Sequence, residues 1–302
     1  MPSSTSIKAL SLSAVLLIVL IVALPLITLP STSVGAPTGK VRVAATVFPL
    51  YDFARNVGGD TVDVKLLIPP GQDFHDWEPT PSTMRIITES KVLLYNGMGL
   101  DPWVEAAVET AGDSGLIVVR ATEGVYAMDD NPHVWLDPAN ARRQVELIRD
   151  ALVTADPANR ELYEKNAEAY SASLKELDRE ISTELGKFTR REFIVFHNSF
   201  IYFAEKYELE QYTITGGDPE REPTAQDIIQ LIQLARTKAV TAIYREPMQD
   251  ERLVQAVAEH IGGRVLTLNP MDGVTPEDFN QGVGYLSIMR QNVRSLAEGF
   301  ED

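Results

Sequence analysis

The sequence predicts an α/β protein of two lobes, each a small, mainly parallel sheet flanked by helices, joined by one long spine helix. Short β-rich runs alternate with helical patterns, an order that means parallel pairing in a layered architecture. This rhythm occurs twice, once in each half of the chain. Between the two blocks, residues 159–188 hold no proline and a single glycine near their end. Apolar residues there fall at Tyr163, Ala167, Tyr170, Leu174, Leu177, Ile181, Leu185 and Phe188, the three-and-four spacing of one helical stripe. A chain of 302 residues is long for one core and comfortable for two.

Residues 9–29, ALSLSAVLLIVLIVALPLITL, are almost wholly apolar and follow a start whose charged side chain is Lys8. The run is long enough for a signal peptide or a membrane anchor, and Val34-Gly35-Ala36 offers small residues for cleavage. Residues 1–36 are therefore expected to be a signal peptide or N-terminal anchor, 37–40 a linker, 41–155 the first lobe, 156–189 the spine and 190–302 the second lobe. In the first lobe strands are expected at 41–47, 62–68, 91–95 and 116–119, the second stopped by Pro69-Pro70-Gly71. Helical patterns lie between them, from Phe48-Pro49 to Asn56 and over 82–89 and 102–111. In the second lobe strands are expected at 193–196, 212–215, 239–244 and 264–268, with helices at 199–207, 224–237, 250–261 and 276–296. Thr275-Pro276-Glu277-Asp278 starts the last of these, a hydroxyl cap followed by proline in the first turn.

Composition narrows the function. A formal net charge of -16 disfavours nucleic acid and anionic membrane surfaces as partners. The absence of cysteine excludes disulfides, thiolate metal sites and a lipid-bearing N-terminal cysteine. The chain has 4 histidines, and three stand in or beside expected loops with aromatic neighbours: Phe74-His75-Asp76-Trp77, Pro132-His133-Val134-Trp135 and Phe196-His197-Asn198-Ser199-Phe200. Three imidazoles and one carboxylate complete a tetrahedral shell for zinc. Ligands in open α/β sheets gather at the carboxyl ends of strands, where His75, His133, His197 and Asp272 all fall, so the four can converge on one cleft. Met271-Asp272-Gly273 reads equally as a turn. Glu246 ends a strand and can approach the same cleft in a supporting or structural role, and Glu78 can orient a loop or a ligand histidine. His260 precedes Gly262-Gly263 at a helix end, where the dipole favours it, and is left out.

The segments VAATVFPLYDFARNVGGD, HDWEPTPS, VLLYNGMGLDPW, PHVWLDPANA, DPANRELYEKNAEAY, FHNSFIYFAEKY, GGDPEREPTAQ and YREPMQ extend from 41 to about 250, and the likeness continues to about 292. In number and order they resemble the zinc/manganese class of solute-binding proteins of ABC importers, the ZnuA/TroA type, which is also related to metal-binding streptococcal adhesins. The resemblance implies a two-lobed fold with a divalent ion between the lobes, ligated by His75, His133 and His197 with Asp272 as the fourth. It further implies an extracytoplasmic binder, secreted, periplasmic or tethered to the outer face of the membrane, that docks on a membrane permease driven by a cytoplasmic ATPase. A monomer is expected of such a shuttle. Manganese members of the class tend to carry glutamate in place of the third histidine, so His197 favours zinc, with manganese the alternative. Two departures stand out: 120–131 lacks the histidine-rich loop of many zinc members, and Asn131 stands where the class commonly has an acid. A secreted metal hydrolase is the rival of another class. The chain has no HExxH or GxSxG motif and no cysteine nucleophile, and the fourth metal position is filled, so no enzymatic activity is expected. A surface-adhesin role can coexist with metal capture. A stiff spine predicts limited lobe closure, and histidine ligation predicts an affinity that falls as pH drops through roughly 6.5.

Overall fold

The computed structural model describes residues 39–112, 115–214, 221, 223–247 and 251–301. The expected export segment, its cleavage motif and the start of the linker lie outside the described residues, as do Thr215 and Asp250, the expected ends of a strand and a helix. The first lobe runs β1 (Val41–Ala45), α1 (Phe48–Gly58), β2 (Val62–Leu66), α2 (Pro81–Glu89), β3 (Val92–Tyr95), α3 (Val104–Ala111) and β4 (Ile117–Arg120). Two long helices follow, α4 (Pro138–Ala155) and α5 (Arg160–Leu185). The second lobe runs β5 (Glu192–Val195), α6 (Ile201–Lys206), β6 (Glu210–Thr213), α7 (Ala225–Thr237), β7 (Ala242–Arg245), α8 (Glu251–Ile261), β8 (Arg264–Thr267), α9 (Pro276–Gln281) and α10 (Tyr285–Phe300).

Each lobe holds a four-stranded, all-parallel sheet, ordered β2-β1-β3-β4 in the first and β6-β5-β7-β8 in the second. The inner strands β3 and β7 are buried over most of their length, which is why they read as mainly apolar runs. The chain reverses direction across each sheet between β1 and β3 and between β5 and β7, which opens a crevice at the carboxyl end of each sheet.

The spine is confirmed and proves to be one member of a helix pair. The 26 residues of α5 extend about 39 Å. Its buried stripe is Tyr163, Ala167, Tyr170, Leu174, Leu177, Ile181 and Leu185, as the spacing predicts; Phe188 lies past its end. The 18-residue helix α4 packs along it, an element absent from the sequence reading. Asp137 caps α4 by accepting from Ala139 N–H, Pro138 opens its first turn, and Ala141, Val145, Ile148, Ala151 and Leu152 form its buried face. A second difference concerns the expected helix at 276–296. Gly282 takes the left-handed conformation (φ 70°) and ends α9, so α10 starts afresh at Tyr285.

One apolar cluster runs from Val43 and Phe53 of the first lobe, through Tyr170 and Leu174 of the spine, to Phe193 and Leu296 of the second. The two sheets therefore share a core. Asp52 on α1 fastens the same junction, accepting from Tyr170 Oη at 3.0 Å on α5 and from Tyr285 N at 3.1 Å at the start of α10. Burial pushes this carboxyl above its usual range, and those donors offset part of the rise. Arg290 of α10 adds a two-pronged pair with Glu180 of α5, at 2.7 and 3.0 Å.

Leu177 is fully buried in this shared core. Leu177→Ala is expected to lower stability by about 2–5 kcal/mol, measured by urea denaturation, because the fixed helices around it cannot collapse into the cavity.

Candidate metal centre

The sites that the chain offers for metal are set by its loops. His75 follows β2 in a short 3-10 turn, Phe74–Asp76, whose cap is Asp73: its Oδ1 accepts from His75 N at 3.0 Å. The Phe74 ring lies against the imidazole, with centroids 4.2 Å apart. His133 lies beyond β4, immediately before the 3-10 turn Val134–Leu136. Asn131 Oδ1 sits 3.1 Å from His133 N and 2.9 Å from His133 Nδ1. His197 stands two residues past the end of β5, at the crevice of the second sheet. Asp272 follows β8 on a loop in which Met271 is buried with φ 68°, a left-handed conformation that a side chain adopts only under constraint. The constraint is visible: Asn269 Oδ1 accepts from Met271 N at 2.8 Å, and Asn292 on α10 exchanges hydrogen bonds with the Asn269 backbone.

Contacts between the lobes hold these loops together. Gly71 N donates to Val274 O at 2.7 Å and Phe74 N to Asp272 O at 3.3 Å, tying the His75 loop to the Asp272 loop. Trp135 Nε1 donates to Pro270 O at 2.8 Å, and Tyr202 Oη on α6 donates to Asn131 O at 2.8 Å. Lys206 of α6 pairs with Asp137 at 2.9 Å.

The structure brings His75, His133, His197 and Asp272 into one cluster, with a potential ligand atom of each lying within 4.8 Å of the others. His133 Nε2 stands 3.0 Å from Asp272 Oδ1, His197 Nε2 3.2 Å from Asp272 Oδ2, and His75 Nε2 3.8 Å from Asp272 Oδ2. The Nε2 atoms of His133 and His197 are 3.3 Å apart. His75 Nε2 and both Asp272 oxygens are buried without a well-directed hydrogen bond. Electron-rich atoms so placed face a common point instead of partners, and a cation at that point satisfies all of them.

Glu246 falls outside the cluster. It lies behind His197, with Oε1 3.0 Å from the Nδ1 that faces away from the other three residues, and the direction of the contact is poor for a hydrogen bond. Glu78 lines a cavity of about 540 Å³ beside His75, together with Trp77, Met98 and Trp103. His260 is remote, its Nδ1 2.7 Å from Ala256 O within α8. Sequence reasoning missed Asp73 and the role of Asn131; for Asp73 the available signal was an acid two residues before a histidine at the start of a turn.

Burial would raise the Asp272 carboxyl, but His133 and His197 override it and hold the group well below the usual range. Burial likewise works against a charged His197, yet Glu246 and Asp272 push its imidazole up to about 10. Burial dominates at His75 and His133 and pushes both down, against the pull of Asp272. Glu246 is raised by burial, which His197 partly offsets. Without an ion, a proton on His197 thus balances Asp272 while two neutral imidazoles keep free electron pairs.

Two parallel sheets on a rigid spine, with imidazoles and a carboxylate gathered between them, define a metal-binding solute-binding protein of the ABC uptake type. The chain belongs to the ZnuA family, whose model, described as "Zinc-uptake complex component A periplasmic", matches residues 43–299. It is 34% identical over 278 residues to the high-affinity zinc uptake system protein ZnuA of Bacillus subtilis, covering 86% of this chain and 87% of that one. Among solved structures, the metal-dependent lipoprotein YcdH of Bacillus subtilis aligns with a TM-score of 0.79 at 35% identity, over 86% of this chain and 99% of that one. The Zn(II)-bound ZnuA-like domain of Streptococcus pneumoniae AdcA also aligns with a TM-score of 0.79, at 31% identity, over 87% of this chain and 100% of that one. The family is described as the periplasmic component of a zinc-uptake complex, and the matched AdcA domain is a Zn(II)-bound one. Among the described residues, no helix is long and apolar enough to cross a membrane.

Trp135 is fully buried and its indole N–H satisfies Pro270 O across the lobes. Trp135→Phe is expected to cost about 1–3 kcal/mol in chemical denaturation, because it strands a buried carbonyl beside the Asp272 loop.

Proposed function

We propose that this protein captures zinc outside the cytoplasm through His75, His133, His197 and Asp272 and delivers it to the permease of an ABC importer driven by a cytoplasmic ATPase. The observation that supports this most is the convergence of four donor groups, two from each lobe and all but His75 buried, with no well-directed hydrogen bond for three of their atoms. In this reading residues 41–155 and 190–302 work as the two lobes, 156–189 as the spine, and 1–36 as the export signal or anchor. The protein acts as a monomer.

Three nitrogens and one carboxylate suit zinc, whereas manganese favours a larger share of oxygen. Capture takes place from the His75 side, because His75 is the partly exposed member of the cluster and the other three are buried. The lobes are already joined by backbone bonds and a common core, so loading and release proceed by small movements of the His75 and Asp272 loops. Binding without catalysis follows from the same arrangement. All four ligands come from the protein, and the nearby carboxylate that could serve as a base, Glu246, is engaged with His197.

Metal content after expression with equal zinc and manganese tests the assignment, with competition titration to rank the two ions. Zinc is expected in one-to-one ratio, and a preference for manganese overturns the choice. His133→Ala and His197→Ala are each expected to weaken zinc binding by at least about 10 to 100-fold, since losing even a partner of a ligand costs that much. Glu246→Gln is expected to fall in that same range of about 10 to 100-fold with the stoichiometry kept, measured by the same titration. The pH dependence has a definite sign. His197 holds a proton up to about 10 in the ion-free protein, and zinc must displace it. Affinity therefore rises with pH through the neutral range, by about tenfold per unit where one proton leaves per ion, and a flat profile contradicts histidine ligation.

A further inference from the structure

Asn131 sits beside the metal cluster, and its amide touches both lobes. Its Oδ1 lies 3.1 Å from His133 N and 2.9 Å from His133 Nδ1, and its Nδ2 lies 2.7 Å from the carbonyl oxygen of Asn198, the residue after His197. The two ends of an amide look alike in shape, but here the backbone distinguishes them. A main-chain N–H can only donate and a main-chain carbonyl can only accept, so the end facing His133 N must be the oxygen and the end facing Asn198 O must be the NH2. The same oxygen then requires a donor at His133 Nδ1. Neutral imidazole carries one N–H, so a proton on Nδ1 leaves Nε2 with its electron pair, and Nε2 is the atom 3.0 Å from Asp272 and 3.3 Å from His197 Nε2.

We infer that Asn131 is a positioning residue for zinc capture: it sets the tautomer of His133 so that Nε2 is free for the ion, and it clips the His133 loop of one lobe to the His197 loop of the other. The inference rests on the ligand assignment proposed above and adds a residue to it. An amide is suited to both tasks together. A carboxylate at 131 could accept from His133 but has no hydrogen to give Asn198, and it would set negative charge against that carbonyl. The Asn131 main chain is itself held from the second lobe by Tyr202 Oη at 2.8 Å, so the side chain works from an anchored base. On the other side, Asn198 Oδ1 accepts from Gln211 Nε2 at 2.6 Å, which ties the clipped loop to β6.

The test compares the full chain with Asn131→Ala, which loses both functions, and Asn131→Asp, which keeps the acceptor and loses the donor. With 4 histidines in the chain, long-range 15N NMR of histidine-labelled, ion-free protein reads each tautomer. His133 is expected to be protonated at Nδ1 in the parent and in Asn131→Asp, and to populate the Nε2–H form in Asn131→Ala. Zinc affinity of Asn131→Ala is expected to drop by about 10 to 100-fold. Amide exchange around 197–200 is expected to speed up by about fivefold in both variants, the loss of one hydrogen bond. A folded Asn131→Ala that keeps the Nδ1–H tautomer and binds zinc within about twofold of the parent overturns the positioning role. Unchanged exchange around 197–200 in Asn131→Asp overturns the clip. Should Asn131→Ala fail to fold, the Nε2–H tautomer in the parent or in Asn131→Asp overturns the assignment. The tautomer is read without metal, so a parent that binds no zinc refutes the ligand reading and leaves the NMR result to judge Asn131.

Discussion

Three imidazoles and a carboxylate gathered around one small volume, all but His75 buried, oppose their own assembly. Each group loses water, and none can fully satisfy the others, because lone pairs meet lone pairs at the centre. Such a cluster persists only where the surrounding frame is stable enough to hold it against that cost. The rest of this fold can be understood as that frame. The spine and α4 give the two sheets a common apolar core, and Asp52 locks α1, α5 and α10 at one point. The loops that carry the cluster are bonded to each other across the lobes instead of hanging free.

The electrostatics follow from the same confinement. Burial alone would neutralise every member of the cluster, and it does dominate at His75 and His133. Asp272 and His197 escape by supporting one another, with Glu246 behind His197 reinforcing the pair. The charge pattern before an ion arrives thus already contains a positive centre beside Asp272, supplied by a proton.

Much of this arrangement was legible in the sequence, for reasons that differ by element. The α5 stripe could be read because a helix buried along one face must repeat its apolar residues at the helical period. The four cluster residues could be placed because strands alternating with helices put their following loops at one edge, and all four lie in such loops. Helix α4 escaped notice because its start, Asp137-Pro138, is embedded in the Pro-His-Val-Trp motif and read as loop chemistry. The break between α9 and α10 escaped because Gly282 and Gly284 interrupt a run that otherwise keeps helical composition to its end. The separate places of Asp272 and Glu246 were open in the sequence, since both are acids at strand ends. Contacts in the fold distinguish them: His197 turns Nε2 toward Asp272 and Nδ1 toward Glu246, and His133 Nε2 also lies against Asp272. Asn131 read as a missing acid, because hydrogen-bond direction across two lobes leaves no trace in spacing.

The two sheets share one strand order, yet they contribute to the cluster from unlike stations. His133 and Asp272 each follow the last strand of a sheet, but His75 follows the second strand of its sheet and His197 the first of the other. At the place in the first sheet that matches His197 stands the buried Val47, which offers no ligand atom, and its neighbour Thr46 donates to Asp101 inside a closed hydrogen-bonded network. Each half supplies two of the four cluster residues, so the set is complete only when both halves are folded together. On the proposed reading, ion occupancy reports completed folding, and an occupied chain gains resistance to unfolding that grows with the logarithm of free zinc.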